Sequence, residues 1–580
     1  MKVRLMTIGA MTAAAALLPW HVKAESKVAV HGSVQADILF PQKDASIGAD
    51  QDYDSPIQAY GNPILFNTYV GVNLASKFVD AGLRMEFMRW PLPGYEDDFI
   101  GWGFPNAWVK GKFNNMELTL GTFYEQFGSG LILRTYEDRT LGIDNSILGG
   151  RVKFNNIKGM SITALGGVQR VYWDWKKQNQ VYGADVEMYI QDWSQSLRDR
   201  GASLTFGASY VLKHEEEEKD IYLPPTNYRL HLPTLVNAFD VRASFGKGPW
   251  SVQAEYGWKG QDPSFDNGYT YRHGDAIMLS GSYSRKGLSA TLQAKRSQNM
   301  SFRTQRKRDG LGAFINYMPA FTYQHTYSLP AIYPYATQYG PGEWAFNGSF
   351  GYTFPRKSAL GGRYGTQLTV NLSYVAGLVH QGDPKNPVNG GIMGTDGYQS
   401  PFWKMGETNY WDFNLQIEKR ISRPVTLQFM YMNQRYNKNA VEGHGGTLYN
   451  NILVGDVKWK INNKFNLRGE LQYMFSHENE AEKAYQQDLI NQNKREDHKD
   501  WAYGLVEFSW TPYLMISASD MWNCGGTGNH YYMFSITGTY RSNRLQLSYG
   551  RTREGFNCSG GMCRFVPAMK GFQINYSYNF

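Results

Sequence analysis

The carboxy-terminal segment Lys570 to Phe580 alternates strictly. Phe572, Ile574, Tyr576, Tyr578 and Phe580 are apolar or aromatic, and Gln573, Asn575, Ser577 and Asn579 between them are polar. Successive side chains of a β-strand point to opposite faces, so this segment is a strand with one apolar and one polar face. A strand of this kind, ending on an aromatic carboxy-terminus, closes an outer-membrane β-barrel, with lipid on one side and water on the other. It constrains the fold strongly. It leaves open what passes through the barrel.

The amino-terminus agrees with export. Lys2 and Arg4 precede an apolar run from Met6 to Trp20, and Val22-Lys23-Ala24 offers small residues at a cleavage site. Residues 1–24 therefore read as a secretory signal peptide, with 25–580 as a single barrel domain. The run is shorter than the ~20 residues a spanning helix needs. The mean hydropathy of −0.49 coexists with 40 tyrosines. A barrel reconciles the two, because alternate residues face water while Tyr and Trp form girdles at the lipid interfaces. No long apolar run follows residue 24, which excludes a helical membrane protein. The formal charge of +8 is spread along the chain, so nucleic acid is not an expected partner.

The period-two pattern recurs. Trp250, Val252, Ala254, Tyr256 and Trp258 alternate with polar neighbours, as do Leu368 to Ala376, Trp411 to Ile417, and Phe465 to Tyr473. Short turns such as Asn114-Asn115, Arg285-Lys286-Gly287, Asn462-Asn463 and Arg541-Ser542-Asn543 separate many strands, and Asn and Gly tolerate the positive φ of tight hairpins. Longer polar segments alternate with them, at roughly 41–63, 91–104, 124–146, 215–233, 299–342, 378–406, 475–498 and 552–569. With short turns periplasmic and long loops extracellular, the path is an all-β, antiparallel up-and-down barrel of about 24 strands, within a range of about 20–28. Val181 to Ile190 is expected as a strand and Trp193 to Arg200 as a short helix at the periplasmic rim.

A barrel this wide would be a large hole if empty, so inward loops are expected. Phe123 to Arg151 carries Glu125, Arg134, Glu137, Asp138, Arg139, Asp144 and Arg151 among several glycines. Opposite charges this dense can pair across a narrow space, so 124–146 is a candidate inward segment. An exposed loop is the equal alternative. Gly312 to Trp344 is rich in Tyr and Pro and carries no Lys, Arg, Asp or Glu before Glu343. Exposed, it would be an adhesive patch. Packed in the barrel mouth, 312–342 would be a plug, with Tyr323, His325, Tyr327, Tyr333 and Tyr335 as its candidate contacts. The adjoining Arg303, Arg306, Lys307 and Arg308 read as a solvated loop tip, with lipopolysaccharide binding as the alternative. Glu215 to Glu218 and Glu96-Asp97-Asp98 read as solvated loops too.

Four blocks carry a family resemblance: GTFYEQFGSGLILRTYEDRTLGIDNSILGGRV (121–152), NYMPAFTYQHTYSLPAIYPYATQ (316–338), FGYTFPRKSALGGRYG (350–365) and RTREGFNCSGGMCRFVPAMKGF (551–572). The chain resembles a Bacteroidota outer-membrane barrel family of unknown function. The resemblance implies an outer-membrane location and a large porin-like barrel, and it supplies no substrate. It favours structured roles for 124–146 and 312–342.

Arg84, Glu86, Asp240, Arg242, Glu255, Lys259, Arg468 and Glu470 fall on polar strand faces and should point into the lumen. Both signs are present. The lining would then be weakly selective, or its charges would anchor a plug. Cys558 and Cys563 flank a flexible Ser-Gly-Gly-Met and are the favoured disulfide in an oxidising compartment; three free thiols, counting Cys524, is the alternative. No metal site and no cofactor are expected. There is no G-x-S-x-G elbow, no phosphate loop and no H-E-x-x-H, so an enzyme is not expected. The leading expectation is a porin-like channel for small hydrophilic solutes, narrowed by inward loops. The alternative is a plugged, non-conducting barrel that serves surface-protein secretion or envelope organisation. Lipid, lipopolysaccharide, small solutes and other envelope proteins are the expected partners.

Overall fold

In a computed structural model, which describes residues 28–50, 62–175, 179–217, 221–223, 228–381, 398, 400–492 and 494–580, twenty-four strands form one closed antiparallel barrel. The proposed signal peptide lies outside the described residues. The first strand, Ala29–Pro41, pairs with Leu65–Ala75 on one side and with the last strand, Met569–Asn579, on the other. The closing register runs from Ser33 opposite Asn579 to Pro41 opposite Gly571. Ala29 and Asn579, at the outer ends of these two strands, lie at the end of the barrel where the turns are short.

Those turns follow the local chemistry. Asn114 adopts φ 48° between Gly101–Phe113 and Met116–Phe123, and Gly287 adopts φ 78° between Gly274–Arg285 and Leu288–Gln298. Positive φ in a two-residue connection gives the twist that antiparallel neighbours need. Gln180–Tyr189 is a strand and Gln195–Asp199 a short helix, capped by the Ser194 hydroxyl.

The outward face is apolar and exposed, as at Phe239, Val241 and Phe245, or Leu471 and Phe475. No helix among the described residues is long and apolar enough to cross a membrane. The inward face departs from the expected uniform polarity. Towards the short-turn end it is polar and charged. Towards the long-loop end it becomes apolar: Val236 and Ala238 precede Asp240 and Arg242 on one strand, and Ile452 and Val454 precede Asp456 on another. These apolar wall positions are buried because chain from the long loops packs on them. The alternation read from Leu368 to Ala376 also breaks, because register shifts follow Val375 and Ala376, and both are fully buried.

Candidate functional site: the filled lumen and its seam cleft

Three segments from the long-loop end pack on the inner wall. The first is 124–146. Phe127, Leu131, Ile132, Leu133, Leu141 and Ile143 are buried in a cluster that includes the wall residues Val181, Val211 and Val236. Its short hairpin, Glu137–Asp138 with Ile143–Asp144, carries the charged contacts. The Arg84 guanidinium reaches Glu86 at 2.6 Å, Glu137 at 2.8 Å and Asp144 at 3.0 Å. Arg170, wholly buried, reaches Glu86 at 2.8 Å and Asp144 at 2.5 Å. Burial, joined by Glu86 and Glu137, pushes the Asp144 carboxyl up against the pull of Arg170 and Arg84. The Glu86, Glu137 and Asp144 oxygens lie within 4.8 Å of one another, a spacing a cation would suit. Here guanidinium groups supply the positive charge, so the cluster works as an anchor. Arg139 bonds Glu137 at 2.8 Å and the Gln35 side chain at 2.7 Å. Glu125 pairs with Arg151 at 2.9 Å, and Arg134 stacks on Tyr317 at 3.9 Å. Asp138 serves its own turn, accepting from Thr140.

The second segment covers 299–342. Met300, Phe302, Phe314, Ile315 and Met318 join the first cluster. Leu329, Ile332, Tyr333 and Tyr335 form another with the wall residues Met430, Met432, Ile452, Val454 and Met474. Polar rungs fix its height. Tyr323 N–H donates to Ser373 at 2.9 Å, and His325 contacts Asp412. Tyr327 donates to Asp456 at 3.2 Å, and Leu329 N–H donates to Gln472 at 2.9 Å. Gln434 donates to the Tyr333 carbonyl at 3.1 Å. Tyr335 donates to Glu343 at 2.5 Å, and Glu343 pairs with Lys295 at 2.6 Å, both fully buried. The five plug residues named from sequence all contact the wall: the Tyr323 hydroxyl also accepts from Gln416 at 3.2 Å, and the Tyr333 ring packs beside Tyr436.

The third segment lies in 552–569, which the sequence pattern makes an outer loop. Residues 553–566 instead form a hairpin, Gly555–Ser559 with Met562–Val566, that reaches the other two. Cys558 and Cys563 face each other at a Cα separation of 4.1 Å and are disulfide-bonded. At the tip, the Gly560 carbonyl accepts from Tyr317 and the Gly561 carbonyl from Thr337 N–H at 3.0 Å. A Cβ at Gly561 would lie 2.4 Å from Thr337 Oγ1, and its φ of +94° also excludes most side chains.

The eight charges assigned to the lumen all meet partners. Glu255 accepts from Ser129 N–H of the first segment at 3.0 Å. Lys259 donates to the Ser301 carbonyl of the second at 2.6 Å. Arg242 pairs with Asp185, Glu187 and Asp240 at 2.7–3.1 Å. Arg468 pairs with Asp456 at 2.9 Å and also with Glu470. The structure corrects three loop readings. Arg303 and Arg306 are buried, not at a solvated tip: Arg303 bonds Asp266 at 2.6 Å, and Arg306 bonds Asp262 at 3.0 Å. Arg308 bonds Glu96 at 2.5 Å and also Asp98, so the 96–98 run is a partner rather than a free acidic patch; Lys307 is the exposed member of the basic cluster. Glu215 is buried beside Lys213 at 3.1 Å, while Glu218 lies outside the described residues. Burial alone would raise the Asp262 carboxyl, but Lys213, Lys259 and Arg306 around it outweigh that and hold it below the ordinary range.

A cleft of about 600 Å³ remains between the filling and the wall at the closing seam. The seam strands contribute Gln35, Asp37, Gln573 and Asn575. The first segment contributes Arg139, and the hairpin side contributes Arg553, Glu554, Asn557 and Arg564. A smaller cavity of about 230 Å³ lies between 322–335 and the hairpin, and the two cavities share Phe556 and Asn557 as lining. Sequence reasoning missed Arg170, Asp262, Lys295 and the hairpin arginines. The seam residues carried a usable signal, since Gln573 and Asn575 lie on the polar face of the closing strand.

The sequence profile of the family of unknown function DUF6029 matches residues 1–580, and the chain belongs to that family. No protein of curated function matches the sequence. Among solved structures, the chain is similar to the siderophore receptor PirA of Pseudomonas aeruginosa, at 10% identity and a TM-score of 0.39 over 95% of this chain and 80% of that one. It is also similar to OccD3 (OpdP) of Pseudomonas aeruginosa, at 11% identity and a TM-score of 0.38 over 78% and 92%. OccAB3 of Acinetobacter baumannii matches at 10% identity and a TM-score of 0.34 over 96% and 99%. Likeness at this level carries no argument about what this chain conducts or binds.

Proposed function

We propose that this member of a family without an assigned activity is an outer-membrane channel for small hydrophilic solutes, with the three inward segments as its constriction. The observation that carries the reading is the cleft of about 600 Å³ left along the seam, where the filling meets the polar Gln35, Asp37, Gln573 and Asn575 side of the wall. The apolar outward face supports a lipid setting, and the unequal loop lengths support an orientation with the filled end facing outward from the cell. On this reading the paired lumen charges hold the filling in place and the cleft sets the solute size. The work is transport and needs no reaction.

A second reading rests on the same filling. Two hydrophobic clusters and the ion pairs of Arg84 with Glu137 and Asp144 join it to the wall, which suits a plugged barrel that serves other envelope proteins. Planar-bilayer conductance of the refolded mature protein separates the two. It should be compared with variants in which a short Gly-Ser linker replaces 124–146 or 312–342. The channel reading expects steady current in the intact protein and larger current in either variant. Silence in the intact protein, with large current only after replacement, would refute it in favour of the plug.

A further inference from the structure

We infer that the seam cleft binds a small polyhydroxylated solute bearing a carboxylate, with Arg553 and Arg564 taking the carboxylate and Gln35, Asp37, Gln573 and Asn575 taking the hydroxyls. The inference rests on the channel reading and names its class of solute.

The argument starts from an imbalance among the arginines. Arg84, Arg170, Arg242, Arg303, Arg306 and Arg308 each meet at least one carboxylate. Arg553 and Arg564 do not. Arg553 donates to two backbone carbonyls, Glu554 at 2.8 Å and Ile332 at 2.7 Å. Arg564 stacks on the Tyr95 ring at 4.5 Å, and its Nε and Nη1 have no hydrogen-bond acceptor. Among the described residues, no carboxylate lies within ion-pair distance of either group. Both line the same cleft. A partly buried guanidinium without an anion is costly, and a planar oxyanion suits its fork of donors.

The opposite wall has a different chemistry. Gln35, Gln573 and Asn575 are primary amides, which both donate and accept. A hydroxyl does the same, so a row of amides matches a polyol. Asp37 accepts from Gln35 at 2.7 Å and from Asn575 at 2.9 Å, which leaves lone pairs for hydroxyl donors. Tyr95 and Phe556 add apolar faces on which a sugar-like ring can rest. The volume lies within the range of small-ligand sites, about 300–1,000 Å³. Burial, then Glu496 and Asp497, raise the Glu554 carboxyl from its ordinary value.

The test measures binding apart from conduction. Calorimetry on the full mature protein in detergent would use gluconate, glucose, glucosamine and inorganic phosphate as probes, and bilayer current would be recorded with the same solutes. Gluconate should bind in preference to glucose and glucosamine. Arg564→Gln and Arg553→Gln should each weaken it by about 10- to 100-fold, the effect of losing one charged hydrogen-bond partner. Gln573→Ala should weaken gluconate several-fold and keep the preference for the anion. Unchanged heat-modifiable mobility on gels shows that each variant still folds. Equal binding of gluconate and glucose would overturn the inference. So would a gluconate preference untouched by both arginine changes, or phosphate binding as tightly as gluconate. Gluconate binding with a silent bilayer would refute the channel while supporting the site. Conduction without any gluconate preference would do the reverse.

Discussion

Lys295→Met tests whether the filling is held by charge. Lys295 and Glu343 are both fully buried, 2.6 Å apart, on the two adjacent wall strands that the second segment joins. The ammonium also donates to the Pro319 carbonyl at 2.5 Å, and Glu343 accepts from Tyr335 and from Gln338 N–H. Removing the ammonium leaves a buried carboxylate held only by neutral donors. Breaking a buried pair from one side costs about 3–5 kcal/mol. The cost falls on the docked state, because a displaced segment lets Glu343 reach water. With every 1.4 kcal/mol worth a factor of ten, the docked-to-displaced ratio should fall by roughly two to three and a half powers of ten. Hydrogen–deuterium exchange over residues 327–338 reads that ratio directly. Adding Glu343→Leu should recover much of the loss, since an apolar pair removes the stranded charge. Exchange within fivefold of the parent, in a barrel of unchanged gel mobility, would refute the clamp.

Other outcomes follow from the same geometry. Replacing Cys558 and Cys563 together with Ser should loosen the hairpin by about 2 kcal/mol, from the closed loop's length, and raise exchange at Gly555–Val566. Gly561→Ala should unseat the hairpin tip, visible as faster exchange at Thr337, because its Cβ meets Thr337 Oγ1 and Ala320 Cβ at 2.4 and 2.8 Å. Asp262 has a lowered folded value, so its support for Lys213 and Arg306 is complete above the unfolded aspartate value of about 3.9 and fades as pH falls through the folded one. Protease sensitivity of 299–311 should therefore stay flat from neutral pH to about pH 5 and rise only in stronger acid. Glu554 has the opposite sign: it is neutral below its raised value and charged above it. Anion preference, read as a reversal potential, should fall as pH rises past the ordinary glutamate value of about 4.3.

The barrel was legible because its evidence is local. Alternation over a few residues and a two-residue turn are both written in adjacent positions, and the closing strand shows both faces. The filling was legible only where composition was extreme, as in the Tyr- and Pro-rich stretch before Glu343. Its attachments were not, because each joins distant parts of the chain. Lys213 and Glu215 share one strand end, but Asp262 and Arg306 come from two other loops, and no spacing predicts that the four meet. The run around Arg303 resembles a solvated tip because local charge density implies water, while its neutralising partners lie upstream at Asp262, Asp266, Glu96 and Asp98. The apolar inner wall did leave a trace. Ile452-Leu453-Val454 is apolar on both faces, which lipid and a wet lumen cannot both accommodate, and the docked second segment resolves the conflict.

The closing register has a temporal meaning. Ser33 to Pro41 waits, with its outer edge unpaired, until Gly571 to Asn579, more than five hundred residues downstream, arrives. An exposed strand edge invites wrong partners, so the chain carries that hazard until the closing strand is in place. Gln35 and Asp37 belong to one side of that join, Gln573 and Asn575 to the other. The seam cleft therefore has no precursor. It appears in the moment the barrel shuts, and a chain cut short before Gly571 would lack both a sealed wall and anything to recognise.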